Sequence, residues 1–184
     1  MILKVYKLLP LVFFVCLYSC GNNSDKKPTA EKDNNKSVVQ SKLEIGEMLD
    51  EFNLAAANSE FDKYFNFFSE DGHFIGTDAT ENWDKKTFMN FSKPFFDKKK
   101  TWNFKSIQRN IYVSEDCNIA WFDELLNTWM KICRGSGVVV KENNQWKIKQ
   151  YVLSATVPNT QIDSVIKLKT LEEDSIINVL SAKK

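Results

Sequence analysis

Apolar residues in the first part of the folded region recur at the three- and four-residue spacing of helices. Six of them predict one amphipathic helix with a single buried face: Ile45, Met48, Leu49, Phe52, Ala55 and Ala56. Ser59 followed by Asp62 resembles a capping box and predicts the start of a short second helix. Asp84 is placed to cap a third helix, which Pro94 should kink or end.

The pattern changes to the two-residue alternation of strands from residue 101 onward. A short strand at residues 73–76 precedes the third helix, and four strands follow it, with an Asn143-Asn144 turn before the last. Apolar residues switch parity after Phe104, which predicts a bulge or bend in the first of these four strands. The order of elements predicts an α+β fold in which helices pack on a long, bent antiparallel sheet, with a C-terminal helix in residues 160–184.

The N-terminus has the pattern of a secretory signal. Lys4 and Lys7 precede an uncharged apolar run that ends just before Cys20. This order resembles a bacterial lipoprotein signal, which implies a signal peptide at residues 1–19, lipidation of Cys20 and a place in the cell envelope, periplasmic or surface-exposed. An ordinary signal peptide with an incidental cysteine is the alternative. Residues 20–37 are almost entirely polar and predict a flexible tether, so the folded domain is expected over residues 38–184.

Charge and cysteine content exclude several classes of function. The chain has 25 basic and 24 acidic side chains, so a nucleic-acid partner is not expected. One histidine and two domain cysteines, Cys117 and Cys133, cannot supply a usual zinc site, and neither a metal nor another cofactor is predicted. A disulfide between these cysteines is allowed outside the cytoplasm, but the sequence does not require it.

Several separated segments resemble one known family. FIGTDATENW, AWFDELL, RGSGVVVKENNQWKIKQYVLS and VPN occur in an order and spacing similar to the SnoaL-like branch of the nuclear transport factor two-like superfamily. The resemblance covers roughly residues 42–159. It implies a cone-shaped fold with a pocket inside a strongly curved sheet, often in a dimer. It does not imply one reaction, because the superfamily includes isomerases, dehydratases, cyclases and proteins that only bind or assemble.

Seven side chains are the candidates for lining this pocket: Asp78, Trp83, Trp121, Asp123, Arg134, Gln150 and Ser154. Gln150 and Ser154 share the parity of Trp146 and Ile148, which is the pattern of a pocket floor. Five of the candidates also have a structural alternative: Asp78 in a turn, Arg134 in an ion pair with Asp123 or with Glu124, and Trp83 and Trp121 in the core. For catalysis the chain offers acids and possible hydrogen-bond donors, but no catalytic residue is assigned. The acids are Asp78, Glu81, Asp123 and Glu124, and the donors are Arg134, Tyr151 and Trp121.

Three functions remain open at the level of sequence. Binding of a small, partly apolar ligand by a membrane-anchored domain is favoured. An enzyme of the polyketide cyclase or ketosteroid isomerase type, using a pocket carboxylate, is the first alternative, and a dimerising interaction module is the second. Apolar residues of both parities around Val139 favour a homodimer, because a sheet with one covered face should show polar residues on the other.

Overall fold

The computed structural model describes the backbone of residues 27–182 and the side chains of residues 37–182. Its helices are α1 (Lys27–Ala57), α2 (Phe61–Asn66), α3 (Lys85–Asp97) and α4 (Ile162–Ser181). Its strands are β1 (Phe68–Ile75), β2 (Asn82–Asp84), β3 (Lys105–Val113), β4 (Ile119–Thr128), β5 (Lys131–Glu142) and β6 (Gln145–Ala155). The predicted signal peptide and Cys20 lie outside the described residues. Within the described part, none of the helices combines the length and apolar character needed to cross a membrane.

Helix α1 is longer than the sequence pattern predicted. Residues 27–37, which belong to the segment predicted as a tether, are helical and form the first turns of α1. Adding a residue to an existing helix costs little free energy. Pro28 lies in the first turn of α1, where backbone N–H groups have no acceptor within the helix, so its lack of an N–H breaks no helical hydrogen bond. The predicted apolar face is confirmed, since Ile45, Leu49 and Phe52 are buried.

The six strands form one curved, unclosed sheet in the order β2-β1-β6-β5-β4-β3. Every neighbouring pair is antiparallel except β1 and β6, which are parallel. The sheet is therefore mixed, a refinement of the antiparallel prediction, because β1 and β6 are joined by a long crossover and not by a hairpin. The α+β cone is confirmed, with α1, α2 and α3 providing the layer that covers the inner face of the sheet.

Aromatic rings fill most of the core between this helical layer and the sheet. Phe52 of α1 stacks on Tyr64 of α2 with ring centroids 4.4 Å apart. Phe74 of β1 stacks on Phe88 of α3 at 4.1 Å. Such offset ring pairs add to the stabilisation that comes from burying the apolar area itself.

Three of the predicted local signals are confirmed and one is wrong. Asp84 caps α3 by accepting a hydrogen bond from the Thr87 amide at 2.7 Å. Asn143 and Asn144 both have positive φ, as a tight hairpin turn requires. The β3–β4 register shifts between residues 106 and 108, which is the predicted bulge. Ser59 does not cap α2: its φ is 59°, and its hydroxyl bonds to the Thr101 hydroxyl instead.

The remaining predicted features concern α4 and the cysteines. Helix α4 is present, but none of its residues is buried, and Leu168 and Leu171 are 83% and 86% exposed. Cys117 and Cys133 are both free thiols. Cys133 is buried and lies 3.5 Å from the Thr128 hydroxyl, so it behaves as a small core residue.

Candidate functional site

Among the side chains that the structure describes, the most deeply buried carboxylate belongs to Glu124 of β4, which is 0% exposed. Arg109 of β3 donates from Nε and Nη2 to Oε2 of Glu124, at 2.9 and 2.8 Å. The Tyr151 hydroxyl of β6 donates to Oε1 at 2.9 Å. Both carboxylate oxygens are therefore occupied, as a charge taken out of water requires.

Arg109 extends this network to helix α1. Its Nη1 donates to the Gly46 carbonyl at 2.9 Å, and its Nη2 lies 2.9 Å from Oδ1 of Asp50. Burial lowers the pKa of Arg109, and the negative charges of Glu124 and Asp50 raise it. The effect of the two carboxylates is the larger one, so the pKa of Arg109 lies above its ordinary value. The guanidinium is thus held as a permanent cation between the sheet and α1.

Tyr151 is held as a neutral donor in the same network. Burial, and then the negative charge of Glu124, raise the pKa of the Tyr151 phenol well above its ordinary value. Gly135 lies directly opposite Glu124 on β5, and a Cβ at this position would collide with the Tyr151 hydroxyl. The glycine therefore makes room for the contact between Tyr151 and Glu124.

The structure brings five of the seven predicted pocket residues together, but on the outer face of the sheet. Trp121 and Asp123 alternate along β4 with the buried Phe122 and Glu124, so they point to the opposite side. Three more predicted residues share this outer face through the register of β4, β5 and β6: Arg134, Gln150 and Ser154. Trp121 is 50% exposed there and stacks on Tyr112.

A bulge in β6 explains why the predicted pocket floor lies outside. Val139 pairs with Ile148 while Val138 pairs with Gln150, so Lys149 is an extra residue in the ladder. The bulge reverses the parity of every following residue, and the next inward side chain after Ile148 is Tyr151. Gln150 and Ser154 consequently do not share a face with Trp146 and Ile148.

The other two candidates, Asp78 and Trp83, lie near the mouth of the cone but have different roles. Asp78 accepts hydrogen bonds from the Thr80 amide at 2.8 Å and the Thr80 hydroxyl at 2.6 Å. The hydroxyl, followed by the amide, lowers the pKa of this exposed carboxyl. Trp83 is half-buried and stacks on Phe91 at 4.4 Å and on Phe88 at 5.7 Å.

Trp83 lines a cavity of about 120 Å³ at this end of the cone, which we call the aromatic cavity. Strands β1 and β2 and helix α3 contribute Phe74, Trp83, Phe88 and Phe91. The segment before β3 and the β4–β5 turn contribute Trp102, Phe104 and Trp129. Asp78 is not part of this lining, whereas Gly76, Thr77, Glu81 and Leu153 are.

Glu81 is the carboxylate of the aromatic cavity, and the loop between β1 and β2 fixes its position. The Gly76 amide donates to the Glu81 carbonyl at 2.9 Å, and the Asp78 amide donates to Oε2 of Glu81 at 3.2 Å. A Cβ at Gly76 would collide with the Glu81 carboxylate. Gly76 therefore allows the acid to fold back toward the strand.

Trp129 reaches the aromatic cavity from the tight turn between β4 and β5. It is 79% exposed, yet it belongs to the cavity lining. The Met130 amide donates to the Thr128 hydroxyl at 3.0 Å, and Lys131 has a φ of 72°, so this turn is closely defined. The exposed position of Trp129 places it at the solvent side of the cavity.

Larger grooves exist outside the cone, but their chemistry differs. One of about 460 Å³ runs between α1 and the β5–β6 hairpin, and its walls are mainly charged and amide side chains. Ion pairs such as Lys63–Glu51, at 3.3 Å, already occupy these groups. Among the described residues, no group of three or more histidine, cysteine or acidic side chains is placed to hold a metal ion.

The sequence indicated Glu81 and Glu124 as possible acids and Tyr151 as a possible donor, although none of the three was among the seven pocket candidates. Arg109 and Trp129 were not predicted as functional residues. Glu81 lies in the quoted segment FIGTDATENW, three residues after Asp78, and only the folded loop distinguishes the two acids. Arg109 follows a bulge, so its inward direction could not be inferred from alternation alone.

Comparison with known proteins gives a family and a fold. The model of the SnoaL-like domain family matches residues 45–158. A nuclear transport factor two-like protein of unknown function from Pseudomonas putida KT2440 has a TM-score of 0.57 at 11% identity, over 66% of this chain and 90% of that one. No curated protein matches the sequence.

Two further solved structures have the same architecture. A protein with a cystatin-like fold from Caulobacter vibrioides has a TM-score of 0.57 at 10% identity, covering 71% of this chain and 99% of that one. A proposed scytalone dehydratase from Novosphingobium aromaticivorans DSM 12444 has a TM-score of 0.54 at 16% identity, covering 68% and 89%. At these identities the likeness establishes the fold alone.

Proposed function

The chain belongs to the SnoaL-like domain family, and from this premise we propose that it binds a small, partly apolar ligand in the aromatic cavity. The observation that carries the proposal is the lining of that cavity, which combines aromatic rings with a single carboxylate. Concave, mainly apolar sites with a few placed polar groups are typical of small-molecule binding. The volume of about 120 Å³ suits a small ligand, or one end of a larger ligand.

Glu124, the buried acid of the sheet, is not placed to act as a catalytic base. The desolvated acid Glu124 does not line the aromatic cavity, and its two oxygens accept hydrogen bonds from Arg109 and Tyr151. A general base needs an available lone pair within reach of the substrate proton. The Glu124 network therefore supports a structural role that ties β3, β4 and β6 to helix α1.

Membrane attachment through Cys20 is the second part of the proposal. The order of Lys4 and Lys7, an apolar run and Cys20 supports it. One acyl chain binds membranes only marginally, so stable attachment requires the several chains that lipoprotein processing adds. The ligand-binding domain would then act at the surface of an envelope membrane.

A dimerising role is a second candidate function, and the outer face of the sheet favours it. Tyr112 and Trp121 stack there with ring centroids 6.0 Å apart, and each is about half exposed. Val138 is paired with Trp121, and Val152 lies one strand further along the same face. An exposed apolar surface of this kind marks an interaction site, and we propose a homodimer through it.

Ligand binding is tested by blocking the aromatic cavity. Thr77 is exposed and lines the cavity, so Thr77→Trp should fill its mouth without disturbing the core. Ala79→Trp is the matched control, because Ala79 is exposed in the same loop but does not line the cavity. Mass spectrometry should find small molecules that co-purify with the wild type and the control but not with Thr77→Trp. Identical molecules on all three proteins would contradict the proposal.

A further inference from the structure

The aromatic cavity has an unbalanced charge. Seven of its eleven lining side chains are aromatic, and Glu81 is the only one that carries a charge. The faces of aromatic rings are electrically negative because of their quadrupoles, and the carboxylate adds a full negative charge. An anionic group entering this cavity would meet only repulsion from its charged lining.

The placement of Glu81 strengthens this asymmetry. Only Oε2 accepts the hydrogen bond from the Asp78 amide, which is a neutral donor. The acid is half-buried and shares the cavity with Trp83, the ring that stacks on Phe91. A carboxylate and several aromatic rings that line one small cavity can together attract a cation with an apolar surface.

We propose that the aromatic cavity binds a small organic cation, specifically an alkylated ammonium group. This inference rests on the proposed ligand-binding function and names the chemical class of its ligand. An alkylated ammonium carries its charge on a surface of methyl or methylene groups, so it loses less hydration than a bare ammonium when it enters an apolar site. Aromatic rings recognise such groups through cation–π attraction.

The size of the cavity agrees with a compact head group. Sites for drug-sized molecules have volumes of roughly 300–1,000 Å³. The aromatic cavity has about 120 Å³, enough for a compact group of a few heavy atoms. Exposed Thr77 and Trp129 mark the side toward solvent, where the rest of a longer ligand would extend.

The experiment compares choline with the neutral alcohol in which a carbon atom replaces its nitrogen. The two probes have nearly the same shape, so a difference in affinity reports the charge. Calorimetric titration of the detergent-solubilised full chain should show choline binding at least about tenfold more tightly, the effect of a desolvated cation–π contact with a carboxylate nearby. Glu81→Gln keeps the side-chain shape and should remove most of that difference.

Glu115→Gln is the matched control, because Glu115 is an exposed acid in the loop between β3 and β4, outside the cavity lining. It should bind choline as the wild type does, and Thr77→Trp should bind neither probe. Equal binding of the two probes would overturn the cation inference and leave the proposed apolar ligand intact. Absence of choline binding, or choline binding that Glu81→Gln and Thr77→Trp leave unchanged, would also overturn the inference, whereas the co-purified molecules test ligand binding separately.

Discussion

Arg109 and Glu124 form a buried ion pair across strands β3 and β4, and Arg109 carries this pair to helix α1 through Gly46 and Asp50. The pair connects the helical layer to the inner face of the curved sheet. Because Glu124 is fully buried, only its hydrogen bonds from Arg109 and Tyr151 offset the free energy lost when its carboxylate leaves water. The network is therefore a structural requirement of the cone.

Arg109→Met should destabilise the fold strongly. It leaves the Glu124 charge buried beside one neutral donor, and removal of one partner from a buried pair costs about 3–5 kcal/mol. Urea unfolding followed by tryptophan fluorescence measures the loss. Lys105→Met is the control, since Lys105 is an exposed cation on the same strand and should change stability by less than about 0.5 kcal/mol.

Adding Glu124→Gln to Arg109→Met should restore part of the lost stability. The amide removes the uncompensated charge but keeps an oxygen that can accept from Tyr151. A wild-type stability for Arg109→Met alone would show that the ion pair contributes little to holding the layers together.

The general fold could be predicted from sequence because it depends on repeated patterns. The apolar face of α1 and the Asp84 cap are local features that survive folding unchanged. The positions of pocket residues depend instead on register. One extra residue, Lys149, moves Gln150 and Ser154 to the outer face. The apolar residues of β6 do change parity between Ile148 and Tyr151, but Val152 keeps the original parity and makes this signal ambiguous.

The candidate site was predicted only in part for a similar reason. Trp83 lines the aromatic cavity as expected, but the acid beside it is Glu81 and not Asp78. Both acids lie in one short loop. The Gly76 amide donates to the Glu81 carbonyl and the Thr80 amide donates to the Asp78 carboxylate, and these bonds fix the two residues in different directions. Trp129 lines the cavity from the β4–β5 turn, which is far from Trp83 in sequence, so local patterns could not predict that the two residues line the same cavity.

Gly135→Ala should destabilise the domain, because its new Cβ would collide with the Tyr151 hydroxyl next to Glu124. Overpacking of a filled core costs roughly 1–3 kcal/mol. Combining Gly135→Ala with Tyr151→Phe should cost less than the sum of the two single changes, since the second removes the colliding atom. Urea denaturation of the four proteins gives this coupling.

Gly46→Ala is the control for Gly135→Ala, because the same substitution at this position should stabilise the protein instead of destabilising it. A Cβ at Gly46 would lie 3.9 Å from Ile111, an ordinary contact, and Gly46 is inside helix α1. The substitution should therefore stabilise the protein by roughly 0.5–1 kcal/mol. If both glycine variants behaved alike, the Tyr151 collision would not be the cause of the Gly135 effect.

Stability should fall at high pH through Tyr151. Burial, and then Glu124, raise the pKa of Tyr151 in the folded protein. A group with a raised folded pKa contributes stability that is complete below its unfolded pKa of about 10 and is lost as pH rises above it. Each pH unit above that value should cost the wild type about 1.4 kcal/mol from this group.

Tyr151→Phe removes this titration, although it also removes the donor to Glu124. The variant should be less stable than the wild type near neutral pH, and the difference should shrink by about 1.4 kcal/mol between about pH 8 and about pH 11. Urea unfolding midpoints at the two pH values measure it. A constant difference between the proteins would mean that Tyr151 does not resist deprotonation.

Cys20→Ala should release the protein from membranes. The variant lacks the thiol that would carry the acyl chains, while the domain beyond Lys27 is unchanged. Membrane fractionation followed by intact mass measurement tests this, with Cys117→Ala as the control because Cys117 is a free thiol within the domain. Membrane association of Cys20→Ala, together with a wild-type mass without acyl chains, would contradict the lipid anchor.

Trp121→Glu should disrupt self-association. Trp121 is half-exposed on the outer face, where it stacks on Tyr112 and pairs with Val138. A buried, unpaired carboxylate in a dimer interface is costly, whereas the same residue on a monomer is solvated. Light scattering of the chain from Lys27 onward at micromolar concentration should report a dimer for the wild type and a monomer for the variant. Leu168→Glu, on the exposed helix α4, should remain dimeric, and a monomer for Leu168→Glu but not for Trp121→Glu would move the interface from the sheet to α4.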